Sequence, residues 1–231
     1  MDSPFRFRSQ PGEMALRNAL IDVGRIAYDR GLLTANDGNL SCRLGADSLL
    51  MSPSGICKGR MASDDLLVLD MSGTLKSKPT GSRHEVSTEA PMHVESYRQR
   101  PDVGAVIHAH PPYCIVLTVA DVPLRADVLP EVLATLGSVP TADFAMPASE
   151  EGATAIRDLI RQHDVILLRQ HGALAVGADL EEALIRLERV EHAAKVIFLA
   201  TVLGKVSTLP AEARDRLLAM YAAGKTRGAK E

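Results

Sequence analysis

The stretch AVIHAHPPY (residues 105–113) closes an apolar run with His108 and His110 two positions apart. On a strand, side chains at i and i+2 share a face, so the two imidazoles would converge while Ala109 turns away. Neutral imidazole is a ligand for zinc. On its own the pair reads equally as two metal ligands or as two partly exposed histidines where a strand ends. His171, in LLRQHGAL, also follows an apolar strand-like run, and Gly172 lets backbone or ligand approach closely. Three histidine ligands leave one coordination position open, which is the arrangement of a catalytic zinc site rather than a structural one. Such a site needs an acid or base. Glu89 stands in the first turn of the helix leading into the His108–His110 strand. A carboxylate there is also favoured by the helix dipole alone, and spacing ranks it little above Glu131, Glu150 or Glu151. Glu95, further along, reads as a solvated face. His84, His93, His163 and His192 lie in polar loop or helical contexts and read as surface or packing residues.

Two turns, NDGNLS (36–41) and SPSG (52–55), mix glycine with short hydrogen-bonding side chains. Turns of this kind expose backbone N–H groups and hydroxyls that cradle an anion. Ser87 and Thr88 precede a helix, a further place where N–H groups point at an anion. Each of the three reads equally as an ordinary turn.

These residues must be held by regular elements. The apolar spacing over residues 13–30 predicts a helix stopped at Gly31. Short strands are predicted around DGNLSCRL, DSLLMS and DLLVLD, and a polar loop over 76–88. Residues 87–100 read as a helix capped by Ser87 or Thr88 with Pro91 in its first turn. VGAVIHAH is a strand whose exit Pro111 and Pro112 stiffen, and DVILLRQHGALAVG carries two strand-like runs about QHG. Asp179, with Glu182 at capping-box spacing, opens a helix to about 203. A last helix covers roughly 211–222, and the tail GKTRGAKE reads as frayed. Several strands neighbour one another without intervening helices, so a mixed or largely antiparallel sheet with packed helices fits better than a doubly wound parallel one.

The chain has 231 residues, 46% hydrophobic and 24% charged, and reads as a single domain over 1–231 with its core at about 13–222. A net charge of −3 and 3% aromatics, with no tryptophan, give no nucleic-acid footprint. Three widely spaced cysteines (Cys42, Cys57 and Cys114) without a CxxC read as reduced thiols. The N-terminal stretch lacks the apolar run of a secretion signal, and no run reaches a membrane span, so a cytoplasmic location with no membrane partner is expected.

In order along the chain, DGNLSCR, MSPSG, STEAPMH, VIHAHPPY and LLRQHGALAVG resemble the sequence motifs of the class II aldolase/adducin family, with the resemblance running from about 13 to 222. It implies an α/β fold of three layers: a central, mainly antiparallel sheet flanked by helices, in a C4 homotetramer with active sites at subunit interfaces. It assigns zinc to His108, His110 and His171, with manganese or cobalt as other occupants, and the acid/base role to Glu89. Asn39, Ser54, Gly55, Ser87 and Thr88 match phosphate-contacting positions. Tyr221 matches a C-terminal tyrosine that reaches a neighbouring subunit's site. The implied activity is aldol cleavage of a ketose 1-phosphate, L-fuculose 1-phosphate-like, to dihydroxyacetone phosphate and an aldehyde through a metal-stabilised enediolate. The 3-oxo-4-phosphotetronate decarboxylases and methylthioribulose-1-phosphate dehydratases of the family share these motifs. Pentulose-5-phosphate 4-epimerases fit less well, because Glu89 follows the aldolase pattern. Non-catalytic adducin-like members lack the histidines kept here. Two departures stand out: Asn36 replaces a common threonine, and the segment 124–137 lacks a tyrosine that falls near Leu129. This segment and the C-terminal one are expected to set aldehyde selectivity.

Overall fold

The computed structural model describes residues 12–228. Helix α1 (Glu13–Asp29) ends where Gly31, at φ +71°, takes the left-handed conformation that a residue with a Cβ resists. Strands β1 (Asn39–Arg43), β2 (Ser48–Met51), β3 (Leu67–Asp70) and β4 (Leu75–Ser77) form a meander. Helix α2 (Ala90–Gln99) then leads into β5 (Ala105–Ala109). Next come α3 (Pro112–Val119), α4 (Pro130–Leu136), β6 (Thr141–Ala142) and α5 (Glu151–Ile160). The β7 (Val165–Leu168) and β8 (Gly172–Gly177) hairpin follows, then α6 (Leu180–Val202) and α7 (Ala211–Gly228).

The eight strands make one sheet in the order β4-β3-β2-β1-β5-β8-β7-β6, antiparallel at every pairing except β6 with β7. Alternating side chains feed two cores. Leu40, Cys42, Ile107 and Ala175 pack with α1, α3, α4 and α6 on one face. Val106, Leu174 and Val176 pack with Met92, Val94 and Tyr97 of α2 and Ile156 and Ile160 of α5 on the other. This is the three-layer, mainly antiparallel architecture that the family resemblance implies.

Several local expectations change. Pro111 and Pro112 do more than close β5. Pro111 caps α3 and Pro112 is its first residue, where a missing N–H costs nothing. The cap of α2 is Glu89 rather than Ser87 or Thr88. The expected loop 76–88 begins as the exposed edge strand β4, whose polar sequence hides its pairing with β3. Helix α7 runs past its expected end near 222 to Gly228; residues 1–11 and 229–231, including the last of the tail read as frayed, lie outside the described residues. At α6 the expected cap forms: Asp179 accepts the Glu182 N–H at 2.8 Å, while Glu182 accepts from Ala178. None of the described helices is long and apolar enough to cross a membrane.

Candidate active site

The pairing register assembles the site. β5 lies between β1 and β8, with His108 opposite Asn39 on one side and Leu174 on the other. His108 shares its face with Val106, the face covered by α2. His110 follows at the strand's end, and His171 closes the β7–β8 hairpin just before Gly172. The three imidazole centroids stand 4.8–4.9 Å apart, a nearly equilateral triangle. One ligand nitrogen from each lies within 4.8 Å of the others. The sequence left His108 and His110 open between ligands and partly exposed strand-end residues; His108 is in fact fully buried.

The donor chemistry suits a cation. His108 Nδ1 lies 3.1 Å from the Ala173 carbonyl oxygen, so that nitrogen carries the proton and Nε2 turns its lone pair to the cluster. His110 Nε2 sits 3.1 Å from it. Burial holds the His108 pKa well below the ordinary 6.5, and repulsion from His110 and His171 adds to this. Burial and His171 likewise lower that of His110, against the pull of Glu89 and Asp37. Neutral imidazoles packed with lone pairs converging are the form that ligates metal.

Glu89 faces this cluster. One carboxylate oxygen lies 3.3 Å from His108 Nε2 and the other 3.3 Å from His171 Nε2. Asn39 donates its side-chain N–H to Glu89 Oε2 at 2.8 Å. Glu131, Glu150 and Glu151, equal candidates by spacing, are not part of this arrangement: Glu131 opens α4, and Glu150 and Glu151 open α5.

The turns with phosphate-binding character are adjacent. Ser52 and Leu40 exchange hydrogen bonds, and the Ser54 N–H donates to the Glu85 carbonyl at 3.0 Å. Ser54, Gly55 and Thr88 are exposed, whereas Ser87 is buried with its Oγ accepting the Glu89 N–H at 3.3 Å. Gly55, at φ +72°, has the left-handed conformation its turn needs. Sequence reasoning passed over Lys58. It is buried and donates to the Asn36 and Ile56 carbonyls at 2.8 Å each, tying the two glycine-containing turns together with a positive charge. Burial lowers its pKa, opposed by Asp37, Cys57 and Glu89.

A cleft opens beside Glu89 and His171. Met92, Met146, Pro147 and Leu168 line it together with Asp143 and Arg169. Within one chain its wall is the β6–α5 connection, 143–149, and not the segment 124–137, where Leu129 caps α4. Tyr221 is not at the cluster of its own chain. Its ring packs on Gly137, where a Cβ would come within 2.5 Å of it.

A mainly antiparallel sheet between helical layers, carrying three converging histidines and a facing glutamate, defines the class II aldolase type of lyase. Residues 18–198 match the family model of the Class II Aldolase and Adducin N-terminal domain, and the chain belongs to that family. It is 31% identical over 223 residues to the 5-methylthioribulose-1-phosphate/5-deoxyribulose-1-phosphate aldolase of Rhodospirillum rubrum, covering 91% of this chain and 93% of that one. Identity to the 3-oxo-tetronate 4-phosphate decarboxylase of Haemophilus influenzae is 30% over 190 residues, 80% of this chain and 88% of the relative. The solved structure of an L-fuculose 1-phosphate aldolase superposes with a TM-score of 0.81 at 26% identity, covering 96% and 100% of the two chains. The chain is thus a sugar-phosphate lyase of this family.

Proposed function

We propose that the chain is a zinc-dependent aldolase that cleaves a ketose 1-phosphate to dihydroxyacetone phosphate and an aldehyde. The observation that supports this reading is the Glu89 carboxylate set across His108 and His171 at 3.3 Å from each, within reach of a substrate held at the three histidines. His108, His110 and His171 would hold the zinc, which when bound supplies Lewis-acid stabilisation of negative charge on the substrate's carbonyl and neighbouring hydroxyl oxygens. Glu89 moves the proton at the carbon that gains or loses the C–C bond. The phosphate is received by Asn39, Ser54–Gly55, Ser87 and Thr88, with the Lys58 charge tied to the turns through the Asn36 and Ile56 carbonyls; the Asn39 side chain also donates to Glu89. Tyr221 serves a neighbouring subunit's site in a cytoplasmic C4 homotetramer.

A second reading, decarboxylation of a 3-oxo acid phosphate, draws on Arg169, which lines the cleft with His171 and would have to exchange its ion pair with Asp121 for a substrate carboxylate. Product analysis separates the two. In a panel of ketose 1-phosphates and 3-oxo acid phosphates, the aldolase reading expects dihydroxyacetone phosphate release, and carbon dioxide without it would sink that reading. Glu89→Gln should keep stoichiometric zinc and lose at least about 100-fold in kcat, the scale of general acid–base catalysis. Near-normal turnover by that variant would remove Glu89 from the acid/base role.

A further inference from the structure

His93 is fully buried, lies outside the histidine triangle, and has no part in the chemistry above. It belongs to a row. Glu89, His93 and Tyr97 are spaced four residues apart at the cap of α2 and along it, and Asn39 and Ser41 two apart on β1. Four helical residues advance about 6 Å and two strand residues about 6.6 Å, so two such rows stay in step where the helix lies on the strand. Here they interleave. Tyr97 OH lies 2.8 Å from Ser41 Oγ, and Ser41 Oγ lies 2.7 Å from His93 Nδ1. His93 Nε2 lies 2.5 Å from Asn39 Oδ1, and Asn39 Nδ2 lies 2.8 Å from Glu89 Oε2.

Counting donors gives this ladder a direction. An ionised carboxylate only accepts, so Asn39 must turn its amide N–H to Glu89. Its carbonyl oxygen then faces His93, which must donate through Nε2–H. The Nδ1 lone pair accepts the Ser41 O–H, and Ser41 in turn accepts from Tyr97. Turning Asn39 over would set its carbonyl oxygen against the carboxylate. The neutral imidazole that this requires is the form the site enforces: burial, with repulsion from His108, lowers the His93 pKa to about 3 against the opposing pull of Glu89.

We propose that His93 is a positioning residue: through Asn39 it fixes the amide orientation that aims and anchors the Glu89 carboxylate. The proposal rests on the acid/base role of Glu89. Two substitutions test it in the zinc-loaded enzyme. His93→Leu removes the donor, and His93→Gln returns an N–H toward the same place. His93→Leu should lower kcat by about 10- to 100-fold, the scale of a misplaced catalytic group, with KM and zinc content little changed. His93→Gln should recover most of that loss. In a Glu89→Gln background, His93→Leu should cost nothing more, because its effect passes through the carboxylate. Normal kcat in His93→Leu, a loss confined to KM, or an equal further loss in the Glu89→Gln background would overturn the proposal. Turnover in Glu89→Gln alone would instead overturn the acid/base reading. Should His93→Leu not fold, long-range ¹H–¹⁵N spectra of histidine-labelled wild-type protein decide. An Nε2–H tautomer at His93 supports the ladder, and an Nδ1–H tautomer refutes it.

Discussion

Gly172→Ala places a methyl group where the structure has no room for one. A Cβ built at Gly172 lies 2.2 Å from the Ala109 carbonyl oxygen, 3.2 Å from its carbon and 3.0 Å from the His110 ring. The nearest atom is backbone, so no rotamer change relieves the contact; β5 and the start of β8 must separate. Restoring ordinary contact near 3.5 Å needs a shift of roughly 1 Å. Metal–ligand distances tolerate about 0.2 Å, so the same shift, taken up next to His108, His110 and His171, breaks the triangle. Overpacking of this kind costs about 1–3 kcal/mol, or roughly 2–12 °C in Tm for a chain of this size. Zinc affinity should fall at least about 100-fold, at or beyond the upper end of what disturbed ligand support costs. Thermal melts of the metal-free variant and a chelator competition titration read the two effects separately. Zinc affinity within twofold of wild type, with an unchanged Tm, would refute the claim that Gly172 is required for the close approach of the strands.

Three further outcomes follow from geometry already described. His108→Ala should abolish stoichiometric zinc binding by elemental analysis; full occupancy would exclude His108 as a ligand. Asp179→Ala removes the side chain that accepts the Glu182 N–H and should cost about 1 kcal/mol in urea unfolding, while a change under about 0.3 kcal/mol would show that the cap is not supporting α6. His93 has a folded pKa of about 3 against an ordinary 6.5, so between those values the unfolded chain binds more protons. Metal-free stability should therefore rise with pH through that window and be lost as pH falls below about 6.5, at up to ~1.4 kcal/mol per pH unit for this one site. Unfolding free energies that stay level from pH 6.5 to 5, or a slope unchanged in His93→Gln, would contradict it.

The three histidines and the strands that carry them were legible because i, i+2 spacing and apolar runs report directly on strand faces, whereas the order of the strands in the sheet was not. Glu89 was legible only through the family resemblance. Its selection over Glu131, Glu150 and Glu151 depends on the pairing of Asn39 with His108, a register that no local pattern encodes. Helices α3, α4 and α5 were missed. The prolines at the start of α3 read as a strand exit, and at α5 the start signal of Ser149 followed by Glu150 and Glu151 was passed over. His93 looked like a surface or packing residue, and it is packed. Its role was nonetheless written in the combination of Glu-x₃-His-x₃-Tyr over residues 89–97 with Asn-x-Ser over 39–41. The signal becomes visible only when a helical period and a strand period are compared side by side. Lys58 escaped because its partners are backbone carbonyls of two distant turns.

The position of β5 between β1 and β8 has a consequence for how the chain reaches its native state. A slip of one residue at either pairing would turn His108 away from α2 and bring Ala109 into its place. The triangle of histidines therefore exists only in correctly registered chains, joined from segments far apart in sequence. A cation that needs all three binds those chains and leaves slipped ones alone, drawing the population toward the native register by mass action. Metal present during refolding would then act as a proofreader of the sheet before it serves any substrate.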